Sequence, residues 1–357
     1  MENLFDHPTG TVTAPAGCGK TYLIAKSLAS RPQSSKPTLV LTHTHAGVAA
    51  LRRRFDEFSI PKSRFRISTL DGWTMRLVAN FPVRSGIRLS ALDLNDARND
   101  YPAIRDAGIQ LLEARHVQDI MSANFHSVII DEYQDCSLEQ HRFCKALSTS
   151  LRTYILGDPM QAIFGWSGTP ADWQADVIAT FPLLATLNKP WRWDNEQNTA
   201  LGAWLLGCRQ ALMNRQPVDL SSAPPCVTYI PMPNADDFTV VTTAAATRLA
   251  ANENAIIICD SRRPARHHTI AARVPGASVV ENADLTALVT FADGYSFSDP
   301  DAGHKLIDFA ASTMTGISPA NLKTRLASHI ARTSRTPITE LEASALAFVK
   351  DLSLIHV

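Results

Sequence analysis

These 357 residues contain no apolar run of the roughly 18 residues that a membrane-crossing helix needs. They also lack an excess of charge: Lys and Arg number 34, Asp and Glu 34, for a formal net charge of zero. Bulk electrostatics therefore make no case for a nucleic-acid partner, and any basic surface must be local. The six cysteines, at 18, 136, 144, 208, 226 and 259, form no CxxC pair. That scatter excludes a disulfide frame and a zinc ribbon, and fits reduced thiols in a cytosolic protein. The opening residues have no basic segment followed by an apolar one, so no secretory signal is expected. No repeat or low-complexity tract is evident. What is present, 45% hydrophobic and 19% charged residues, is the composition of a globular protein, and the length suggests two or three domains.

The most informative stretch is Ala14, Pro15, Ala16, Gly17, Cys18, Gly19, Lys20 and Thr21. A short apolar strand, Gly10 to Ala14, precedes it, and a helix from Tyr22 to Ala29 is expected to follow. A turn that delivers a helix N-terminus presents unpaired N–H groups and a partial positive charge, which suits phosphate. Gly17 and Gly19 let the backbone approach a polyphosphate closely. Lys20 is placed to reach β- and γ-phosphates, and the Thr21 hydroxyl to ligate Mg²⁺. The strict P-loop pattern has Gly where Ala14 stands.

Apolar strands are then expected at Thr38–Thr42, Phe65–Leu70, Ser127–Asp131 and Thr153–Leu156. Helices are expected at Ala46–Phe58, Trp73–Ala79 and Leu138–Leu147, with a small helical insertion after Phe81. Alternating strands and helices imply a parallel sheet with ligand groups at the strands' C-terminal ends. Arg52, Arg53 and Arg54 read as a solvated helix face. Beyond Ser221-Ser-Ala-Pro-Pro225, strands are expected at Val227–Ile230 and Ala255–Ile258, and helices at Asp236–Ala250 and Pro264–Arg273. From Leu285 the pattern becomes helical. Asp131-Glu132, after Val128-Ile-Ile130, supplies the second chemical element. Asp131 is suited to holding Mg²⁺ opposite Thr21, and Glu132 to activating a water.

Taken together, A-P-A-G-C-G-K-T, D-E-Y-Q-D at Asp131 to Asp135 and L-G-D-P-M-Q at Leu156 to Gln161 resemble the UvrD-like superfamily 1 DNA helicases. The resemblance runs from about Thr11 to Trp193 and weakly to about Pro275. It implies two RecA-like cores that clamp ATP, with single-stranded DNA crossing them. It implies that Gln134 links nucleotide state to the DNA-binding loops, that Gln161 contacts the γ-phosphate, and that Trp166 stacks on a base. Thr42-His-Thr-His45 resembles a motif whose Thr contacts DNA phosphate, with His43 in place of the usual Phe. Ser68-Thr-Leu-Asp-Gly72 resembles the T-F-H-G/S box and brings Thr69 into the DNA-binding set. Leu187-Asn-Lys-Pro-Trp-Arg192 resembles L-x-x-N-Y-R, so Arg192 is expected to reach the γ-phosphate.

Two departures accompany the resemblance. Thirteen residues precede Ala14, and none is the family's adenine-reading Gln. Nothing after Ile258 resembles the family's last two motifs. The expected fold is thus α/β: a RecA-like P-loop NTPase parallel-sheet core over 1–190 with a helical insertion at about 81–120, a partial second RecA-like core over 191–282, and a C-terminal helical segment over 283–357. The expected activity is an ATP-hydrolysing DNA helicase or translocase using Mg²⁺ and single-stranded DNA. The alternative is a nucleotide- and DNA-binding module that needs a protein partner, or further chain, to supply the missing motifs. A P-loop kinase ranks lower, because it needs no Gln relay to a DNA loop.

Overall fold

A computed structural model describes residues 3–32, 36–162, 168–231, 254–260, 263–279, 290–292, 294–296, 299, 301–313 and 318–330. The chain divides into two compact units, Met1–Tyr229 and Ile230–Val357.

The first unit is built on six parallel strands in the order β3-β2-β4-β5-β1-β6. These are β1 (Gly10–Thr13), β2 (Thr38–Thr42), β3 (Phe65–Thr69), β4 (Ser127–Ile130), β5 (Arg152–Gly157) and β6 (Leu183–Thr186). β1, β2 and β4 are buried along their whole length, as a sheet with helices on both faces requires. The two-residue period sorts their side chains. Leu39, Leu41, Val128, Ile130 and Ile155 face one layer; Val12, Val40, Ile129, Tyr154 and Leu156 face the other.

Helices α1 (Lys20–Ser30) and α2 (His45–Glu57) cover the second face through Leu23, Ile24, Leu28, Leu51 and Phe55. Helices α3 (Leu70–Asn80), α4 (Ala97–Glu113), α5 (Gln118–Asn124) and α6 (Leu138–Ser148) cover the first through Trp73, Leu77, Leu111, Leu112, Met121 and Phe143. Each fully buried Leu, Ile or Phe contributes about 1.5–3 kcal/mol over its exposed state. The helix starts have local causes. Thr44 and Thr69 accept N–H bonds as the N-caps of α2 and α3, and Ser137 forms a capping box with Gln140 at α6.

After β6 come α7 (Trp191–Asn195) and α8 (Thr199–Met213). The strand expected at Val227–Ile230 does not form: the segment has no ladder partner, and Tyr229 and Ile230 are exposed. Ala255–Ile258, in the second unit, is likewise outside any strand, with Ile256 and Ile258 about nine-tenths exposed. An apolar run becomes a strand only where a neighbour pairs with its backbone. The helix expected at Asp236–Ala250 lies outside the described residues.

Within the second unit the described residues form α9 (Pro264–Arg273), α10 (Ala302–Thr313) and α11 (Pro319–Ile330). Leu306, Ile307, Ala310 and Leu322 are buried there, and Lys323 pairs with Asp308 at 2.6 Å.

Candidate nucleotide cleft

β1 and β4 are not neighbours; β5 lies between them. The turn after β1, the acids after β4 and the segment after β5 therefore converge at one end of the sheet. This is the C-terminal crevice where α/β sheets hold ligands.

The turn after β1 is tied down at its root, where the Ala14 N–H donates to the Gly157 carbonyl at 3.0 Å. Gly17 and Gly19 both adopt left-handed backbone, at φ 72° and 90°. A Cβ on Gly17 would also stand 2.7 Å from the Trp193 ring. α1 starts at Lys20 with Gly19 as its cap and no capping side chain, so its N-terminus is left for another acceptor. Lys20 is buried; its Nζ lies 3.4 Å from the Ala14 carbonyl and 3.5 Å from Glu132 Oε2.

At the end of β4, the Asp131 N–H donates to Leu41 O at 2.8 Å, extending the pairing with β2 by one residue. Its carboxylate is 5% exposed and accepts the Glu132 N–H at 3.1 Å. Burial, reinforced by the Glu132 charge and opposed by Lys20, pushes the Asp131 pKa up to about 7. Glu132 itself sits at φ 56°, a left-handed conformation uncommon for Glu, which turns the chain out of the sheet.

From Glu132 a polar chain runs behind the cleft. Gln134 Nε2 donates to Glu132 Oε2 at 2.8 Å, and Gln134 Oε1 accepts the Asp158 N–H at 3.0 Å. Asp158 is 1% exposed; its carboxylate accepts bonds from Gln161 Nε2 at 2.7 Å and from the two terminal guanidinium nitrogens of Arg209 on α8, at 2.9 and 2.5 Å. Asp135, alongside, has its pKa pushed up to about 6 by burial and by Glu132.

The cleft so formed measures about 640 Å³ and is lined by Pro15, Ala16, Gly17, Gly19, Lys20, Thr21, Tyr22, Arg54, Glu132, Gln161, Trp191, Arg192, Asn195 and Glu196. α7 closes one side: the Arg192 N–H donates to Gly17 O at 3.1 Å, and the Trp191 ring lies over Gly19 with Lys189 Nζ 3.6 Å from its centroid.

Among the residues singled out from sequence, Pro15, Ala16, Gly17, Gly19, Lys20, Thr21, Glu132, Gln161 and Arg192 share this cleft. Ala14, Cys18, Asp131 and Gln134 are buried side chains and do not line it. Thr42, His43 and Thr69 lie at the C-terminal ends of β2 and β3, on the same edge of the sheet as Glu132. Thr42 is 1% exposed, and the Thr69 hydroxyl accepts the Gly72 N–H at 3.2 Å. The His43 ring turns toward Cys136, with Nε2 and Sγ 3.4 Å apart, and burial chiefly pushes its pKa down to about 4. Asp71, a departure from the T-F-H-G/S box, is held by a two-pronged bond from Arg105, at 2.8 and 2.7 Å. Trp166 lies outside the described residues.

Two contributors carry no local signal in the sequence. Arg54, from the run read as a solvated face, lines the cleft and pairs with Glu57 at 2.7 Å. Arg209 sits mid-helix, and only the folded geometry brings it to Asp158.

The donor set bears on a metal. The Thr21 hydroxyl and the Asp131 carboxylate are hard oxygen ligands, and no group of three His, Cys, Asp or Glu side chains fit to cage an ion occurs among the described residues. Such a sparse set fits Mg²⁺, which keeps waters and takes phosphate oxygens, better than an ion needing an all-protein cage.

The architecture and the converging turn define the class: an α/β core of RecA-like type with an all-parallel sheet. Residues 90–177 match the UvrD/REP helicase N-terminal domain family, a span that includes Asp131–Asp135 and Gly157–Gln161 and begins after the Ala14–Thr21 turn. That match supports a UvrD-like relationship for this part of the chain and points to a helicase-type function. No curated protein matches the chain. No helix among the described residues is long and apolar enough to cross a membrane.

Proposed function

We propose that this chain hydrolyses ATP as a motor of the UvrD-like DNA helicase type, coupling hydrolysis to movement on single-stranded DNA. The observation that carries the reading is the approach of Lys20 to Glu132 at 3.5 Å across a cleft floored by two left-handed glycines. A buried cation facing a carboxylate, at the open N-terminus of α1, suits a triphosphate whose hydrolysis needs both charge neutralisation and a base.

In this account Lys20 and the first N–H groups of α1 hold the β- and γ-phosphates. Thr21 and Asp131 would hold Mg²⁺, which would neutralise charge on those phosphates. Glu132 orients the attacking water and takes its proton, while the bond from γ-phosphorus to the bridging oxygen breaks. Gln161 and Arg192 face the γ-phosphate from two sides. Loss of the γ-phosphate is felt by Glu132, and Gln134 passes the change to the backbone of Asp158. Thr42, His43, Thr69 and Trp166 are the proposed contacts to single-stranded DNA. The Thr69 oxygen is occupied as a cap, but its O–H remains free to donate to a phosphate.

The test is ATP turnover with and without single-stranded DNA, in the parent and in Glu132→Gln. Stimulation by DNA in the parent and its loss in Glu132→Gln supports the motor. Turnover indifferent to DNA, or unaltered by Glu132→Gln, overturns it.

A further inference from the structure

The opposite end of the sheet, where the strands begin, is basic. Lys62 and Arg64 precede β3 and Arg66 lies within it; Lys36 precedes β2, His126 precedes β4, and Arg152 opens β5. Arg31 follows α1 at the same end but is buried, so it adds to the field there without joining the exposed surface. Because β3, β2, β4 and β5 are consecutive neighbours, these groups form a row. Strands about 4.8 Å apart make that row roughly 15 Å long.

The arginines in it are held by carbonyls and neutral groups. Arg31 donates to Thr38 Oγ1 at 2.9 Å and to Lys36 O at 3.0 Å, and its buried Nε has no partner among the described residues. Arg64 donates to the last carbonyls of α1, Leu28 O and Ala29 O, at 3.2 and 3.0 Å. Arg66 donates to Lys62 O and Phe65 O, and Arg152 lies 3.1 Å from His126 Nε2. Among the described residues none of Arg31, Arg64, Arg66 and Arg152 forms an ion pair. The positive field registers on His126: burial and then Arg31, Arg152 and Lys36 push its pKa down to about 4. Acids also reach this end: Asp6 acts on Tyr154, and Asp56 and Glu57 end α2, with Glu57 paired to Arg54. In a chain of zero net charge this is a concentrated patch. A groove of about 720 Å³ opens beside it between Lys36, Arg66, Arg76 and Asn124.

We infer that this strand-start edge is a docking surface for the phosphate backbone of double-stranded nucleic acid. Fixed guanidinium groups without carboxylates are suited to phosphate. A row of roughly 15 Å is long enough to face successive phosphates of one strand. The rings here are already engaged: Phe5 packs edge-on against His126 and Tyr154, and Trp73 is buried. Single-strand binding relies on free stacking faces, so a duplex, with its bases turned inward, is the better fit. The inference does not rest on the nucleotide cleft, which lies at the other end of the strands.

The test uses the full chain and a short blunt DNA duplex, with binding followed by anisotropy across a salt series. Lys62, Arg66 and Arg152 are exposed and are reversed together (Lys62→Glu, Arg66→Glu, Arg152→Glu); a matching triple Ala variant guards against misfolding. Duplex affinity should fall at least about tenfold, and the slope of log affinity against log salt should become shallower by about 2–3. Single-strand affinity and DNA-stimulated ATP turnover should stay within about twofold of the parent. Unchanged duplex affinity and slope in both variants would overturn the inference. So would an equal loss of single-strand and duplex binding, or tighter binding of a polyglutamate peptide than of duplex, which would assign the edge to an acidic protein.

Discussion

The Arg209 guanidinium grips both oxygens of the Asp158 carboxylate, at 2.9 and 2.5 Å, and Asp158 in turn accepts the side-chain amide of Gln161. A helix that follows the Arg192 segment is thereby fastened to the segment that carries Gln161 into the cleft. Asp158 is 1% exposed, so removing its cation leaves a buried charge uncompensated. Breaking such a pair costs about 3–5 kcal/mol.

Arg209→Ala should therefore lower stability by about 3 kcal/mol, read as a shift in the urea midpoint. It should also lower ATP turnover more than ATP affinity, because Gln161 loses its anchor while the turn around Lys20 is untouched. Arg209→Lys keeps the charge but loses the fork, and should recover stability more fully than turnover. Equal loss of affinity and turnover in Arg209→Ala would remove the positioning role.

Gly17 faces two constraints at once. Its φ of 72° suits glycine, and a Cβ there would stand 2.7 Å from the Trp193 ring and 3.0 Å from Arg192 Cβ. Gly17→Ala should displace α7 or the turn, cost about 1–3 kcal/mol of backbone strain, and weaken nucleotide binding measured by titration. Gly86, also at positive φ but with open space around it, is the control: Gly86→Ala pays backbone strain without the collision and should leave nucleotide affinity unchanged.

In the metal-free protein, buried histidines and buried carboxylates pull on stability in opposite directions between about pH 4 and about pH 7. Burial holds His43 and His126 neutral in the fold, with pKa values near 4, below the ordinary histidine value of 6.5. Between those two pH values each histidine contributes stability that rises with pH, whereas Asp131 and Asp135, raised to about 7 and about 6, contribute stability that is lost as pH rises. Urea midpoints measured from pH 4 to 7 in the parent and in His43→Gln separate the two. The stability difference should shift in favour of the parent as pH rises through the window, and a pH-independent difference would show that His43 is not a titrating group there.

Five strands were readable to within a residue because strands covered on both sides of a sheet are nearly continuous apolar runs; Thr38–Thr42 is the clearest case. β6 was not readable. Leu183–Thr186 is short, partly exposed and preceded by Pro182, so it looks like a loop until β1 pairs with it. The cleft was half readable. The turn and the acids after β4 are local motifs, whereas Arg54 and Arg209 reach the site only through tertiary geometry. The hydroxyl of Thr69 illustrates a different limit: its motif position is the same whether it caps a helix or meets a phosphate, and in the fold it caps α3.

The most direct measurement is titration of Mg·ATP into the parent and into Lys20→Ala. The buried ammonium faces Glu132 and the Ala14 carbonyl across the proposed phosphate position. Its removal should weaken binding by about 100-fold, on the order of two charge-assisted contacts. Equal affinity in the two proteins would contradict the account, since a nucleotide held elsewhere would leave Glu132, Gln161 and Arg192 with nothing to act on.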